Sequence, residues 1–303
     1  MDYSKQFQQA GKYACILFDK TFKVTVCKQE NEELLRGIIE LLIPGKRISH
    51  LKLDRNENSG DTVSDKTTIF DMICTDADTG QRFVVEMQFA DQHSYKDRMI
   101  SYATYPIREQ LAEKIAAKKK KEPLDRMDYT LNPVYVISLV NFSLEHSSAE
   151  ALDDNGLISR YSVRNDGNNE LMTDALHFIY LELERLRYEA SEWGKCRSVL
   201  EQFAFSLKYI HTLNERPESF TDPTIAELFK ATELASMSTT EREKYEYEMR
   251  TQLDIIAERQ FACDKAKAEG KVEVAKNLLS LDVSPDIIAK ATGLSAQEIA
   301  SLK

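Results

Sequence analysis

Hydrophobic and polar positions divide the chain into stretches of helical and of extended pattern. Leu34, Leu35, Ile38, Leu41 and Leu42 recur at helical spacing. Asn31 is placed as an N-cap, with Glu32 and Glu33 in the first turn, and Pro44–Gly45 ends the run. Residues 48–53 read as a short strand, and the polar, turn-rich segment 54–65 as a loop. Two strands are expected over residues 67–75 and 82–89, joined across residues 76–81 as a hairpin. A helical pattern runs from His93 to Lys121 and ends in four consecutive lysines, residues 118–121. Residues 133–142 (PVYVISLVNF) are apolar and β-branched without alternation, which suits a buried central strand. The order α-β-β-β-α-β is a mixed α/β layout.

The character changes after residue 145. Residues 158–164 read as one further strand, and residues 171–190 and 196–213 as amphipathic helices. The segment 217–223 breaks the pattern, and helices are expected over 225–237 and 240–276. Two short helices close the chain. Ser284–Pro285 starts the first, Gly293 ends it, and Ser295 with Glu298 forms a capping box on the second. Three parts follow: a core at 1–145, a mainly helical extension with one further strand at 146–270, and a helix-turn-helix-like tail at 271–303. Residues 295–303 carry one Lys and no Arg, a poor set for docking phosphates, so the tail suits protein contact. The helical C-terminal half is the expected surface for homo-oligomerisation.

Composition narrows the class. With 303 residues, 42% hydrophobic and 30% charged, the chain can bury a real core. No apolar run approaches the roughly 20 residues of a membrane span, and the N-terminal stretch lacks a signal peptide's pattern. A cytoplasmic protein without membrane contact is expected. The five cysteines are scattered and never form CxxC, and the five histidines are isolated, with no HExxH. That excludes a disulfide framework, a zinc ribbon and a zinc hydrolase of the HExxH kind. The net charge of −10, taken alone, argues against nucleic-acid binding, because phosphate contacts need Lys and Arg, but it leaves room for a local basic groove.

The hairpin carries the strongest chemical signal. If Asp76 pairs with Gln81, partner numbers sum to a constant, and Asp71 stands opposite Glu86 with Cβ atoms about 4.5–5.5 Å apart. Ile69 and Ile73 then share the Asp71 face, and Val84 and Gln88 the Glu86 face. Two carboxylates facing each other among Ile and Val repel, and a divalent cation relieves that repulsion. Mg²⁺ prefers hard oxygen ligands and suits such a pair. The Gln88 amide could bind a phosphate oxygen or orient a water. A solvated sheet face with two unrelated acids is the plainer alternative. Arg98 and Tyr102, four apart, share a helix face. Arg98 either clamps a phosphate or forms a surface pair with Asp97 or Glu109, and Tyr102 either joins it or packs in the core. Lys118–Lys121 either tracks a DNA backbone or is a solvated helix end.

The segments Ile69–Phe70–Asp71, Val85–Glu86–Met87–Gln88 and Arg98–Met99–Ile100–Ser101–Tyr102 resemble the PD-(D/E)XK nuclease family transposases, also called Rpn-type recombination-promoting nucleases. Phe18–Lys23 (FDKTFK) and Lys66 fit the same pattern, and Ile288–Leu302 resembles the end common in this group. The main similarity covers residues 15–145. It implies an α/β fold with a restriction-endonuclease-like mixed sheet flanked by helices, followed by a mainly helical C-terminal half. It also implies a Mg²⁺-dependent DNA endonuclease, with Mn²⁺ as a substitute, linked to recombination or transposition. Asp71 and Glu86 match the metal-binding acids, and Gln88 takes the place of the usual catalytic lysine. The resemblance also implies an acid from the first helix. Glu33 and Glu40, seven apart, share a face there, and Glu33 is the favoured one. Lys66 could supply the missing cation, although strict alternation puts it opposite Asp71 unless a bulge intervenes. Asp19 and Lys23 belong to the signature without an assigned role. Because Gln88 is uncharged, the alternative is a weak or inactive nuclease fold serving as a DNA- or protein-binding regulatory module. A phage-defence nuclease would share the same site chemistry.

Overall fold

A computed structural model describes residues 11–55, 72–118, 128–146 and 156–302. Lys66, Asp71 and Lys119–Lys121 lie outside the described residues. The chain divides into two compact units, one holding the described residues up to Tyr245 and the other those from Glu246 onward.

The first unit begins with helices α1 (Asp19–Thr25) and α2 (Glu32–Leu42). Helix α2 buries Leu34, Leu35, Ile38, Ile39 and Leu42 at the expected helical spacing. Asn31 stands at its N-cap, but the side chain turns back to the carbonyl of Thr25, 2.6 Å away, and ties the helix to the end of α1. Strands β1 (Leu51–Arg55), β2 (Met72–Asp76) and β3 (Arg82–Gln88) follow. Next come helix α3 (Tyr95–Lys118) and strand β4 (Val134–Val140). Strands β5 (Ile158–Ser162) and β6 (Leu176–Glu182) complete a six-stranded sheet of order β1-β2-β3-β4-β6-β5. The pairs β3–β4 and β4–β6 are parallel and the others antiparallel, so the sheet is mixed.

Strand β4 lies between β3 and β6, and all seven of its residues are buried, as its unbroken apolar run requires. Helix α3 covers one face of the sheet. Tyr95, Met99, Tyr102 and Ala103 pack there against Ile73, Val84, Val136, Val140 and Tyr180. Each large side chain buried in this way is worth roughly 1.5–3 kcal/mol over exposure.

The expected helix over 171–190 is corrected. Residues 176–182 form β6, and short 3₁₀ turns occupy Leu183–Arg185 and Ala190–Lys195. Parallel pairing with β4 supplies the reason: β6 meets β4 on one edge and β5 on the other, and the sheet takes up its backbone groups. The sheet therefore extends into the stretch expected to be mainly helical. Helices α4 (Val199–Tyr209) and α5 (Pro223–Ala231) follow, each capped at its N-terminus: Ser198 with Glu201 as a capping box, and Asp222 before Pro223.

Helix α6 (Thr239–Ser280) carries the chain into the second unit. There α7 (Pro285–Thr292) and α8 (Ala296–Ala300) fold against the end of α6 around Ala275, Ile288 and Ile299. Gly293 ends α7 at φ +71°, a left-handed cap that an L side chain resists, and Ser295 and Glu298 form the expected capping box. Among the described residues no helix is long and apolar enough to cross a membrane.

Candidate functional site

The hairpin has the register its loop length predicts. Met72 pairs with Val85, Ile73 with Val84, Cys74 with Phe83 and Thr75 with Arg82. The Asp76 N–H donates to the Gln81 carbonyl at 2.9 Å and the Gly80 N–H to the Asp76 carbonyl at 2.8 Å, closing the Ala77–Gly80 loop. Gly80 takes φ +69°, and a Cβ there would lie 2.4 Å from Asn132 Nδ2. Asp71, the residue before Met72, is outside the described residues, so its expected partnership with Glu86 is not observed.

Alternation along β3 puts Val84, Glu86 and Gln88 on the face that α3 covers. Across the parallel pairing Glu86 stands beside Ser138 and Gln88 beside Val140. Glu86 is 3% exposed. Its carboxylate Oε1 accepts a hydrogen bond from Arg98 Nη2 at 2.6 Å. The same nitrogen donates to Gln88 Oε1 at 3.1 Å, and Nη1 donates to the Gln92 side-chain oxygen. Gln88 Nε2 donates to the Ala90 carbonyl at 3.0 Å, which fixes the amide with its oxygen toward Arg98. Arg98 thus joins Glu86 and Gln88 in one contact.

Helix α3 presents Arg98 between two aromatic rings. The guanidinium carbon lies 5.6 Å from the Tyr95 ring centre and 5.1 Å from that of Tyr102, placements one helical turn to either side. Burial disfavours the charge of Arg98, but the carboxylate of Glu86, together with Tyr102 and Tyr95, holds its pKa above the ordinary arginine value. Burial pushes the Tyr95 phenol well above its usual range. Tyr102 is buried in the core against the sheet. Neither surface pairing expected for Arg98 forms: Glu109 instead binds Arg82 at 3.0 Å.

The FDKTFK stretch, which carried no role in the sequence, becomes α1, packed against β3. Phe18 meets Phe89 with ring centres 4.9 Å apart, just beyond Gln88. Lys23 is largely buried and pairs with Asp19 at 3.1 Å. Phe18 at the start of this stretch and Arg98 of α3 thus both meet the C-terminal end of β3. Glu33 lies exposed in the first turn of α2. Its neighbours hold the chain into β1: Glu32 accepts the Leu51 N–H and Glu40 the Ile48 N–H, each at 2.8 Å. Lys118 closes α3.

A second buried carboxylate was not visible in the sequence pattern. Glu182 ends β6 on the same rung as Gln88 and Val140 and is fully buried. Its Oε2 accepts from the Leu144 N–H and from Arg185 Nε, both at 2.8 Å. Its Oε1 lies 2.6 Å from His146 Nε2 and 3.4 Å from Ser159 Oγ. The helical expectation over 171–190 hid it; the apolar run before it was the available signal.

The donors gathered at the end of β3 are oxygens: the Glu86 carboxylate and the Gln88 amide. Such a set fits a hard cation such as Mg²⁺ in kind, and not a thiolate- or imidazole-seeking metal. Among the described residues no group of three His, Cys, Asp or Glu side chains comes together, and the expected partner Asp71 falls outside them.

Comparison with protein families matches residues 16–261 to the PD-(D/E)XK nuclease family transposase model. No curated protein and no solved structure matches.

Proposed function

The chain belongs to the PD-(D/E)XK nuclease family transposases, and from that premise we propose that it is a Mg²⁺-dependent DNA endonuclease acting in recombination or transposition. The observation that carries the reading is the convergence of Glu86, Gln88 and Arg98 at the C-terminal end of β3. Glu86 and Asp71 would hold the cation, with Mn²⁺ as an alternative. When bound, such a cation polarises a phosphodiester and lowers the pKa of a coordinated water.

The chain's own groups have separate tasks. Gln88 has an amide already oriented by Ala90, and it positions a water or a phosphate oxygen where a lysine would otherwise sit. Arg98 offers a planar guanidinium for a phosphate. Tyr102 and Tyr95 act through Arg98 by holding it between their rings. The match to a nuclease family supports DNA as the substrate class.

The test is nicking of supercoiled plasmid with and without Mg²⁺. The wild type should cut only with the metal, and Asp71→Ala should lower the rate at least about 100-fold, as loss of a metal ligand or key electrostatic group does. Equal cleavage by both chains would end this reading.

A second reading has one specific observation in its favour: the Glu86 carboxylate is already compensated by Arg98. A metal-free fold of this kind could serve as a binding module. Absence of Mg²⁺ or Mn²⁺ binding at millimolar concentration in calorimetry would favour it.

A further inference from the structure

Arg98 occupies the position that a cation bound at Glu86 would contest. Its two terminal nitrogens face different surroundings. Nη2 reaches inward to the Glu86 carboxylate, whose side chain is 4% exposed, and Nη1 reaches outward to the exposed Gln92 amide. The arginine side chain itself is 29% exposed, so solvent reaches the guanidinium. Its other oxygen partners, Gln88 and Gln92, are neutral amides. Among the described residues its Nε is buried without a hydrogen-bond partner. One strong charged bond and two bonds to neutral amides describe a group held mainly by one anion.

We propose that Arg98 is an exchange latch that neutralises Glu86 in the metal-free protein and is released to a DNA phosphate when a divalent cation takes the carboxylate. This rests on the proposed metal site and adds its regulation. Glu86 cannot serve a guanidinium and a dication at full strength together, because like charges that share one carboxylate oppose each other. Cation binding therefore costs the Arg98–Glu86 bond, and the freed guanidinium, still lodged between Tyr95 and Tyr102, stands beside Gln92 at the surface. Phosphate is the ligand class that a planar, doubly donating cation suits best. Linkage makes the effect reciprocal: cation favours DNA binding through Arg98, and DNA favours cation binding.

Calorimetry of Mn²⁺ binding to the full chain, without DNA, tests the latch. Arg98→Gln removes the competing charge and should bind Mn²⁺ about tenfold more tightly than the wild type, the equivalent of one modest ion pair. Arg98→Lys keeps a charge without the planar fork and should fall between them. It carries the test alone if the glutamine variant does not fold. Duplex binding in Ca²⁺, a hard cation of the same charge used here as a probe, is the second readout. Ca²⁺ should raise wild-type affinity for DNA by a larger factor than it raises that of the variants. If wild type and variants bind Mn²⁺ equally, or the variants bind more weakly, the latch is overturned while the metal site stands. If no chain binds Mn²⁺, the metal site falls and the latch falls with it.

Discussion

Glu86 and Glu182 are both buried carboxylates near the C-terminal ends of strands, on either side of β4, and they are held in contrasting ways. Glu182 is gripped by the Leu144 N–H, a donor that cannot swing away, together with Arg185, His146 and Ser159. These bonds draw the stretch after β4 onto β5 and β6. Glu86 is held by Arg98 from a helix surface, through a side chain that solvent reaches. A carboxylate fixed by backbone serves the fold. One fixed by a movable side chain can exchange partners, and that is what a ligand site requires.

The largest effect expected from this contrast is at Glu182. Glu182→Ala leaves Arg185, His146 and a buried N–H without their acceptor. Stability in urea unfolding should fall by about 3–5 kcal/mol, the usual cost of breaking a buried charged network. A loss below about 1 kcal/mol would put the two carboxylates in one class. Glu86→Gln should cost less, about 1–3 kcal/mol, because the amide keeps an acceptor for Arg98. The same variant should abolish Mn²⁺ heat in calorimetry, whereas Glu182→Gln should retain it in the fraction that folds. Reversal of the two metal results would reassign the site to β6.

A partly exposed acid gives the lower limit of the series. Glu241 accepts from Lys28 and then from Ser238, and these bonds hold its carboxyl down to a pKa of about 2. Its folded pKa is depressed, so its contribution is complete above the unfolded value of about 4.3. That contribution is lost as pH falls from there toward about 2. Thermal unfolding between about pH 6 and pH 3 should therefore drop slightly less steeply in Glu241→Gln than in the wild type. A pH slope unchanged by that substitution would show that the acid sensitivity of the chain lies in its buried carboxylates.

Local rules made much of the site legible. A four-residue loop and a side-chain period of two are enough to set the hairpin register, so the chain alone places Val84, Glu86 and Gln88 on one face. Helix spacing likewise puts Arg98 and Tyr102 together. The partner of Arg98 was not legible. The surface candidates, Asp97 and Glu109, lie on the same helix as Arg98, but packing of α3 on the sheet turned it to Glu86 on β3. Glu33 shows the same limit: helix spacing gives its face, and only the structure gives its exposure.

The strand β6 marks the boundary between the two kinds of information. Leu176 to Leu181 is a short apolar run without clean alternation, and Glu182 to Arg187 resembles a charged helix turn, so period alone could not separate strand from helix. By itself the sequence determined the hairpin, the central strand β4, the cap at Ser295, and the oxygen-donor chemistry at the end of β3. Those depend on neighbours a few residues apart. Tertiary structure alone decided that β6 pairs with β4, that Glu182 is sealed beneath the stretch after β4, and that Arg98 closes on Glu86. Each of these depends on partners distant in sequence, whose meeting is fixed only when the sheet assembles and its backbone groups and buried charges must all find partners.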